Sequence, residues 1–278
     1  MGITKFLAAL FFCLILVAVL CLIFQDKVIL QAKKLPLDYR FRFDGVYEEL
    51  FFSHPKEEVR IHTLYFPHQH ETGIRQGFVF YLHGNTRHLQ YHAQCHNHFT
   101  SRGYDVLMMD YRTFGKSHYD GSMSQSIIHD DVQWIFESAQ QKFGLNSNEI
   151  VVYGRSLGTG IATFLAKNNA VKALILEAPY YNIADVPRTY IPFLPFDKML
   201  KYSFDTDQWL PAVSCPTYIF HGTNDYTVPY TSGLKLKDKM ANAKYFYTIE
   251  GAGHNDLVTY ELYQETLSEI LHWYRFAD

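Results

Sequence analysis

The sequence has no long Lys/Arg run, and its 25 basic residues are outnumbered by 28 acidic ones, for a net charge of −3 with histidine neutral. A nucleic-acid binder carries a basic stripe or patch, so the charge pattern argues against nucleic acid as a partner. Cysteine is scarce as well, with four residues in 278. Cys13 and Cys21 lie in an apolar run, and Cys95 and Cys215 stand far apart, either paired or free. They cannot make the disulfide framework of a small secreted domain. No internal repeat or low-complexity segment interrupts the chain. Charged residues are only 19%, against 48% apolar and 17% aromatic. That balance excludes a disordered chain and supports a large core, in one large domain or two small ones.

One long uncharged run is present, "FLAALFFCLILVAVLCLIF", nineteen residues from Phe6 to Phe24. At a rise of 1.5 Å per residue it spans about 28 Å, close to a bilayer core. A cleaved secretory signal is the alternative. The run exceeds the usual apolar region of roughly 7–15 residues, and no A-x-A site follows. Leu20 also stands where lipoprotein processing at Cys21 would need a small residue. The run is expected to be a single-pass membrane anchor, residues 1–26. Lys27, Lys33, Lys34, Arg40 and Arg42 follow it, and only Lys5 precedes it. The positive-inside rule then favours the cytoplasmic side for the body, whereas a short amino-terminal tail kept inside would place the body outside.

Beyond the anchor, "VYEELFF" (46–52) and "RIHTLYF" (60–66) alternate like two antiparallel strands. "GFVFYLHG" (77–84) and "YDVLMMDY" (104–111) are continuously apolar, as buried central strands are. Ile127, Ile128, Val132, Ile135 and Phe136 have helical spacing within 124–143. Strands are expected at 149–154, 171–179, 216–222 and 243–251, with helices at 157–168, 230–241 and 256–275. This strand–helix alternation is an α/β class with a mostly parallel sheet and helices on both faces. Residues 180–211 break the rhythm with four prolines and eight aromatics. The stretch is too long and too apolar for a simple loop. It is expected to form a small cap over a pocket, with added core packing as the alternative.

The strongest motif is "VVYGRSLGTG" (151–160), in which Gly154-x-Ser156-x-Gly158 follows a strand and precedes a helix. That context is what a nucleophile elbow requires: a sharp turn that lifts the serine clear of the sheet. Small residues two before and two after let strand and helix approach closely. A serine hydroxyl needs a general base at neutral pH. "YIFHGTNDYTVP" puts Asp225 in the loop after a strand, and "YFYTIEGAGHND" puts His254 in the loop after the next. His254 is the expected base and Asp225 the acid that fixes its tautomer. Asp205, Asp207 and Asp256 are rivals, but none ends a core strand, and His272 lies inside the last helix. The oxyanion also needs donors. They are expected from the backbone N–H groups of Leu157 and of Asn85, in the loop "HGNT" (83–86), with His83 bracing that loop.

The run "HGNTRHLQYHAQCHNH" (83–98) also invites a metal reading, because His88, His92 and His96 fall on one helical face near Cys95. A metal site needs a closed ligand set with supporting partners. The run is expected instead to be an exposed helix rich in histidine, with no metal. A non-catalytic metal-binding or scaffold membrane protein stays as the alternative of another class.

Taken together, "LHGN", "DYRTFGKS", "GRSLG", "HGTNDYTVP" and "GAGHND" resemble the alpha/beta-hydrolase superfamily. They look most like its membrane-anchored branch, related to serine aminopeptidase and monoacylglycerol lipase-like hydrolases. The resemblance covers roughly 45–275. It implies an eight-stranded sheet and a hydrolase domain over 45–278, with Ser156, Asp225 and His254 as triad, Asn85 and Leu157 as oxyanion donors, and no cofactor. In "DYRTFGKS" the family usually has glycine where this chain has Thr113 or Phe114. The expected activity is hydrolysis of carboxylic esters or thioesters of acyl, lipid-like substrates at a membrane. A serine peptidase is the alternative, with Asp185, Asp197, Asp205 and Asp207 available to hold a free amino terminus.

Overall fold

A computed structural model gives the fold and describes residues 2, 5–9, 11, 12, 19, 23–55, 57–69, 73–241 and 245–273. Eight strands form one sheet: β1 (Glu48–Ser53), β2 (Arg60–Phe66), β3 (Gly77–Leu82), β4 (Tyr104–Met109), β5 (Ile150–Arg155), β6 (Ala173–Glu177), β7 (Thr217–Gly222) and β8 (Phe246–Ile249). Their order is β8-β7-β6-β5-β3-β4-β2-β1. β2 runs antiparallel to both β1 and β4, and the other neighbours are parallel.

The continuous apolar runs have a simple cause. Successive side chains of a strand point to opposite faces. In β3, Phe78, Phe80 and Leu82 join one buried apolar cluster, while Val79 and Tyr81 join the other. Both faces are covered, so neither admits polar alternation. The first cluster includes α1 (Gln125–Phe143) and α2 (Leu157–Asn168); the second includes α3 (Glu261–Trp273). α1 starts where Ser124 Oγ accepts the Ile127 N–H at 3.2 Å and stops at Gly144, φ +64°. Those are an ordinary N-cap and a left-handed C-terminal glycine. Expected element ends shift by one to three residues in several strands. The helix expected at 230–241 is α-helical only at Tyr230–Leu234 and tightens to a 3-10 turn at Lys235–Lys239.

Between β6 and β7 lie three short helices, Asp185–Tyr190, Phe196–Met199 and Thr206–Trp209. At the other end of the chain, Gln25–Ile29 forms a short helix, and Gln31–Ala32 pairs in parallel with Thr86–Arg87. Among the described residues no helix is long and apolar enough to cross a membrane. Of the expected anchor, residues 1, 3, 4, 10, 13–18 and 20–22 lie outside the described residues.

Candidate active site

The candidate residues gather at the carboxyl ends of β3, β5, β7 and β8, which is where open α/β sheets place their ligand crevice. Ser156 sits in the turn between β5 and α2 with φ 52° and ψ −120°. A residue with a side chain avoids this region. The turn holds because Ser156 N–H donates to Glu177 O at 2.9 Å and Thr159 Oγ1 donates to Ser156 O at 2.6 Å. The flanking glycines are required by packing. A Cβ on Gly154 would stand 2.5 Å from Gly158 O, and one on Gly158 would stand 2.0 Å from Leu82 O.

Ser156 Oγ lies 3.0 Å from His254 Nε2, and His254 Nδ1 lies 2.7 Å from Asp225 Oδ2. Asp225 Oδ1 accepts the Thr227 and Val228 N–H groups at 2.9 and 2.8 Å. Burial pushes the Asp225 carboxyl up. Hydrogen bonds from His221 and His254, then the charge of His254 and the Val228 N–H, outweigh it and hold the group below the usual carboxylate range. The arrangement can therefore pass the serine proton to His254 while Asp225 stays ionised and orients the ring.

Asn85 and Leu157 border the same cavity as Ser156. The loop carrying Asn85 is clipped at both sides by stacked imidazoles. His83 Nδ1 donates to Gly84 O and His92 Nε2 donates to Thr86 O, each at 2.6 Å, with ring centroids 4.6 Å apart. Burial lowers the pKa of His83 and carries that of His92 well below its ordinary value, which disfavours the charged form of both rings.

This corrects the exposed-helix expectation for the histidine run. His92 and His96 are 5% and 1% exposed. The helix is broken, with Leu89–His92, a 3-10 turn at Ala93–Cys95 and Asn97–Thr100. His96 stacks on Phe66 at 4.2 Å and turns Nε2 to Asp44 O. The rings diverge into separate partners, and among the described residues no group of three His, Cys, Asp or Glu could hold a metal. Cys95 and Cys215 are free, each thiol pushed up to about 12 by burial.

Two positioning residues escape a reading of motifs alone. Arg155, inside the elbow, donates from Nε to Glu177 Oε1 at 2.8 Å and from Nη2 to His254 O at 3.1 Å and Asn255 Oδ1 at 2.8 Å. Glu177 also takes the hydroxyl of Tyr153. The pair thus ties the loop carrying His254 to the strand that leads into Ser156. The available signal was two opposite charges, each ending an otherwise apolar strand.

The cavity beside Ser156 has a volume of about 850 Å³. Ser156, Asn85, Gln25 and Thr227 are among the few polar residues lining it; Ile183, Val186, Leu194 and Met199 typify the rest. None of the four aspartates considered for a peptidase borders it. Asp185 takes Ser232 Oγ and Lys235 Nζ, Asp197 pairs with Arg188, and Asp205 takes Ser203 Oγ. In "DYRTFGKS", Thr113 has φ +76°, the conformation a glycine would favour there.

Residues 73–196 match the family model described as serine aminopeptidase, S33. The match includes Asn85 and Ser156 and stops before Asp225 and His254. Lysophosphatidylserine lipase ABHD12 of Danio rerio is 31% identical over 190 residues, 60% of this chain and 48% of that protein. The alpha/beta hydrolase domain-containing protein aho-3 of Caenorhabditis elegans is 27% identical over 209 residues, 75% and 57%. The chain thus spans about half the length of the curated relatives it matches. Among solved structures, a soluble variant of monoglyceride lipase from Saccharomyces cerevisiae is 17% identical with a TM-score of 0.62, covering 86% of this chain and 98% of its own. The Pyrococcus furiosus esterase Pf2001 is 16% identical with a TM-score of 0.67, covering 87% and 96%. Both likenesses are of fold.

Proposed function

Because this chain is a member of the alpha/beta-hydrolase superfamily, we propose that it is a serine hydrolase that cleaves carboxylic ester or thioester bonds of single-chain acyl lipids. Ser156 Oγ attacks the acyl carbonyl as His254 Nε2 takes its proton. The oxyanion is held by the backbone N–H groups of Asn85 and Leu157. The tetrahedral intermediate collapses, His254 returns the proton to the leaving alcohol or thiol, and an acyl-Ser156 ester remains. Water, deprotonated by His254, then frees the acid and restores the serine.

The observation that carries this reading is the apolar cavity of about 850 Å³ opening on Ser156. It is in the upper part of the range of roughly 300–1,000 Å³ for ligand pockets. An acyl chain needs such a wall, whereas a peptide amino terminus needs an acidic side chain in it. The relative named as a lysophosphatidylserine lipase supports a one-chain lipid. Residues 45–278 serve as the hydrolase body and 180–211 as its cap. The uncharged run Phe6–Phe24 supports anchoring at a bilayer, where such substrates partition, with the body on the cytoplasmic side.

The family model's name keeps a peptidase as the second reading. Hydrolysis of p-nitrophenyl esters of graded acyl length, compared with aminoacyl-nitroanilides, separates the two. Faster turnover of the anilides would replace the lipid reading by the peptidase one. A fluorophosphonate probe is expected to label the chain but not its Ser156→Ala variant; equal labelling of both would remove Ser156 as nucleophile.

A further inference from the structure

The segment that follows the apolar run does not hang free of the body. Asp26 accepts Lys201 Nζ at 2.9 Å and the Tyr202 hydroxyl at 2.8 Å, and Gln25 Oε1 accepts the Lys201 N–H at 2.5 Å. The short helix Gln25–Ile29 is thereby fastened to the 180–211 segment. Leu30, 5% exposed, plugs into the apolar cluster that holds α1 and α2. The chain then runs beside the candidate oxyanion loop, with Gln31 opposite Thr86 and Ala32 opposite Arg87. Lys33 N–H donates to Arg87 O at 3.1 Å, and Leu35 N–H donates to Gly115 O at 2.8 Å. Both ends of the segment are therefore fixed, one to Lys201 and Tyr202 of the 180–211 segment and the other to the loop after β3 and to Gly115. Between them Gln25, Val28 and Ile29 border the cavity that contains Ser156.

We propose that residues 25–35 are a strap that completes the acyl pocket, with Val28 and Ile29 forming a wall that sets the preferred acyl length. The inference rests on the acyl-hydrolase reading above and adds to it the residues that choose among acyl chains. Val28 is 47% exposed, so a larger side chain there grows into the cavity or solvent and need not break a packed core. A wall that meets only the distal part of the chain leaves short acyl groups less affected than long ones. Discrimination then scales with the methylenes that no longer fit.

The test has two arms. In the first, kcat/KM is measured for p-nitrophenyl acetate and dodecanoate with the parent, Val28→Ala and Val28→Trp. The dodecanoate-to-acetate ratio is expected to fall at least tenfold in Val28→Trp and to move less than threefold in Val28→Ala. A ratio within twofold of the parent's in Val28→Trp overturns the strap. In the second arm, dodecanoic acid binding is measured on the Ser156→Ala chain with and without Val28→Trp, which reads the cavity with no catalysis. Binding at least tenfold weaker is expected; equal binding, or none by the Ser156→Ala chain, overturns the strap. A parent that binds dodecanoic acid but cleaves no ester refutes the hydrolase reading while the second arm still judges the wall. If Val28→Trp does not fold, Val28→Phe takes both arms with the same expected direction.

Discussion

Replacing Asp225 by asparagine tests the candidate triad through a proton's position. The carboxylate is held by three hydrogen-bond donors on its two atoms, with the His221 ring, bonded to Val228 O, close by. Oδ1 takes the Thr227 and Val228 N–H groups at 2.9 and 2.8 Å, and Oδ2 faces His254 Nδ1 at 2.7 Å and His221 Nε2 at 3.4 Å. In Asp225→Asn the amide oxygen stays where two backbone donors need an acceptor, because leaving them unpaired costs about 1–3 kcal/mol each. The amide NH₂ is then forced toward His254 Nδ1. That nitrogen must give up its proton and accept, which puts the ring proton on Nε2, 3.0 Å from Ser156 Oγ. The imidazole becomes a donor to the serine where it should be its base. In serine proteases the same exchange costs about 10⁴ in kcat, close to 5.4 kcal/mol of transition-state stabilisation. The expected loss here is of that order, read as kcat on p-nitrophenyl butyrate near neutral pH, with fluorophosphonate labelling slowed in parallel. A kcat within tenfold of the parent's would refute the assigned role of Asp225.

The same variant has a signature in stability. Because the folded-state pKa of Asp225 is depressed, ionisation stabilises the fold at every pH above the unfolded carboxylate value of about 3.9. That contribution is lost only as pH falls through the lower folded value. Asp225→Asn removes it, so the melting-temperature gap between parent and variant should be constant from neutral pH to about 5 and close in stronger acid. A gap that widens on acidification contradicts this.

Three further outcomes follow from the geometry. Gly158→Ala would press a methyl group against Leu82 O, 2.0 Å from the ideal Cβ; overpacking of this kind typically costs about 1–3 kcal/mol, so thermal unfolding should fall by several degrees, and an unchanged melting temperature would mean the elbow is looser than described. Arg155→Leu cuts the bonds to His254 O and Asn255 Oδ1; kcat should fall by up to about 10² from misplacement of the base with KM nearly constant, while a pure KM effect would deny it a positioning role. Each methylene added to the acyl group should raise kcat/KM about fourfold, from about 0.8 kcal/mol per buried CH₂, until the cavity is full; a flat series from acetyl to octanoyl esters would show that the chain does not enter it.

How much of this was legible depends on whether the cause is local. The elbow was, because a tight strand-to-helix turn demands glycine two residues either side of Ser156, and the demand is written in consecutive positions. Asp225 and His254 were placed by the order of strand ends. The fate of the histidine run was not legible. Helical spacing of His88, His92 and His96 suggested one solvent face, but His92 is drawn inward by Thr86 O and the face of His83, and His96 by Phe66. Arg155 and Glu177 became partners only once β5 and β6 were in register.

The strap was hidden by the same logic. Val28, Ile29 and Leu30 follow the apolar run after Gln25, Asp26 and Lys27 and carry no motif, and hydropathy measures dislike of water and not which apolar surroundings replace it. Lipid, core and acyl pocket are alike on that scale. Asp26 is the residue that breaks the tie. Its carboxylate, 42% exposed, lies just past the run and is directed at partners from the body. Those partners are Lys201 and Tyr202, far along the chain. The charge therefore marks where the chain turns to the body and begins to shape the pocket.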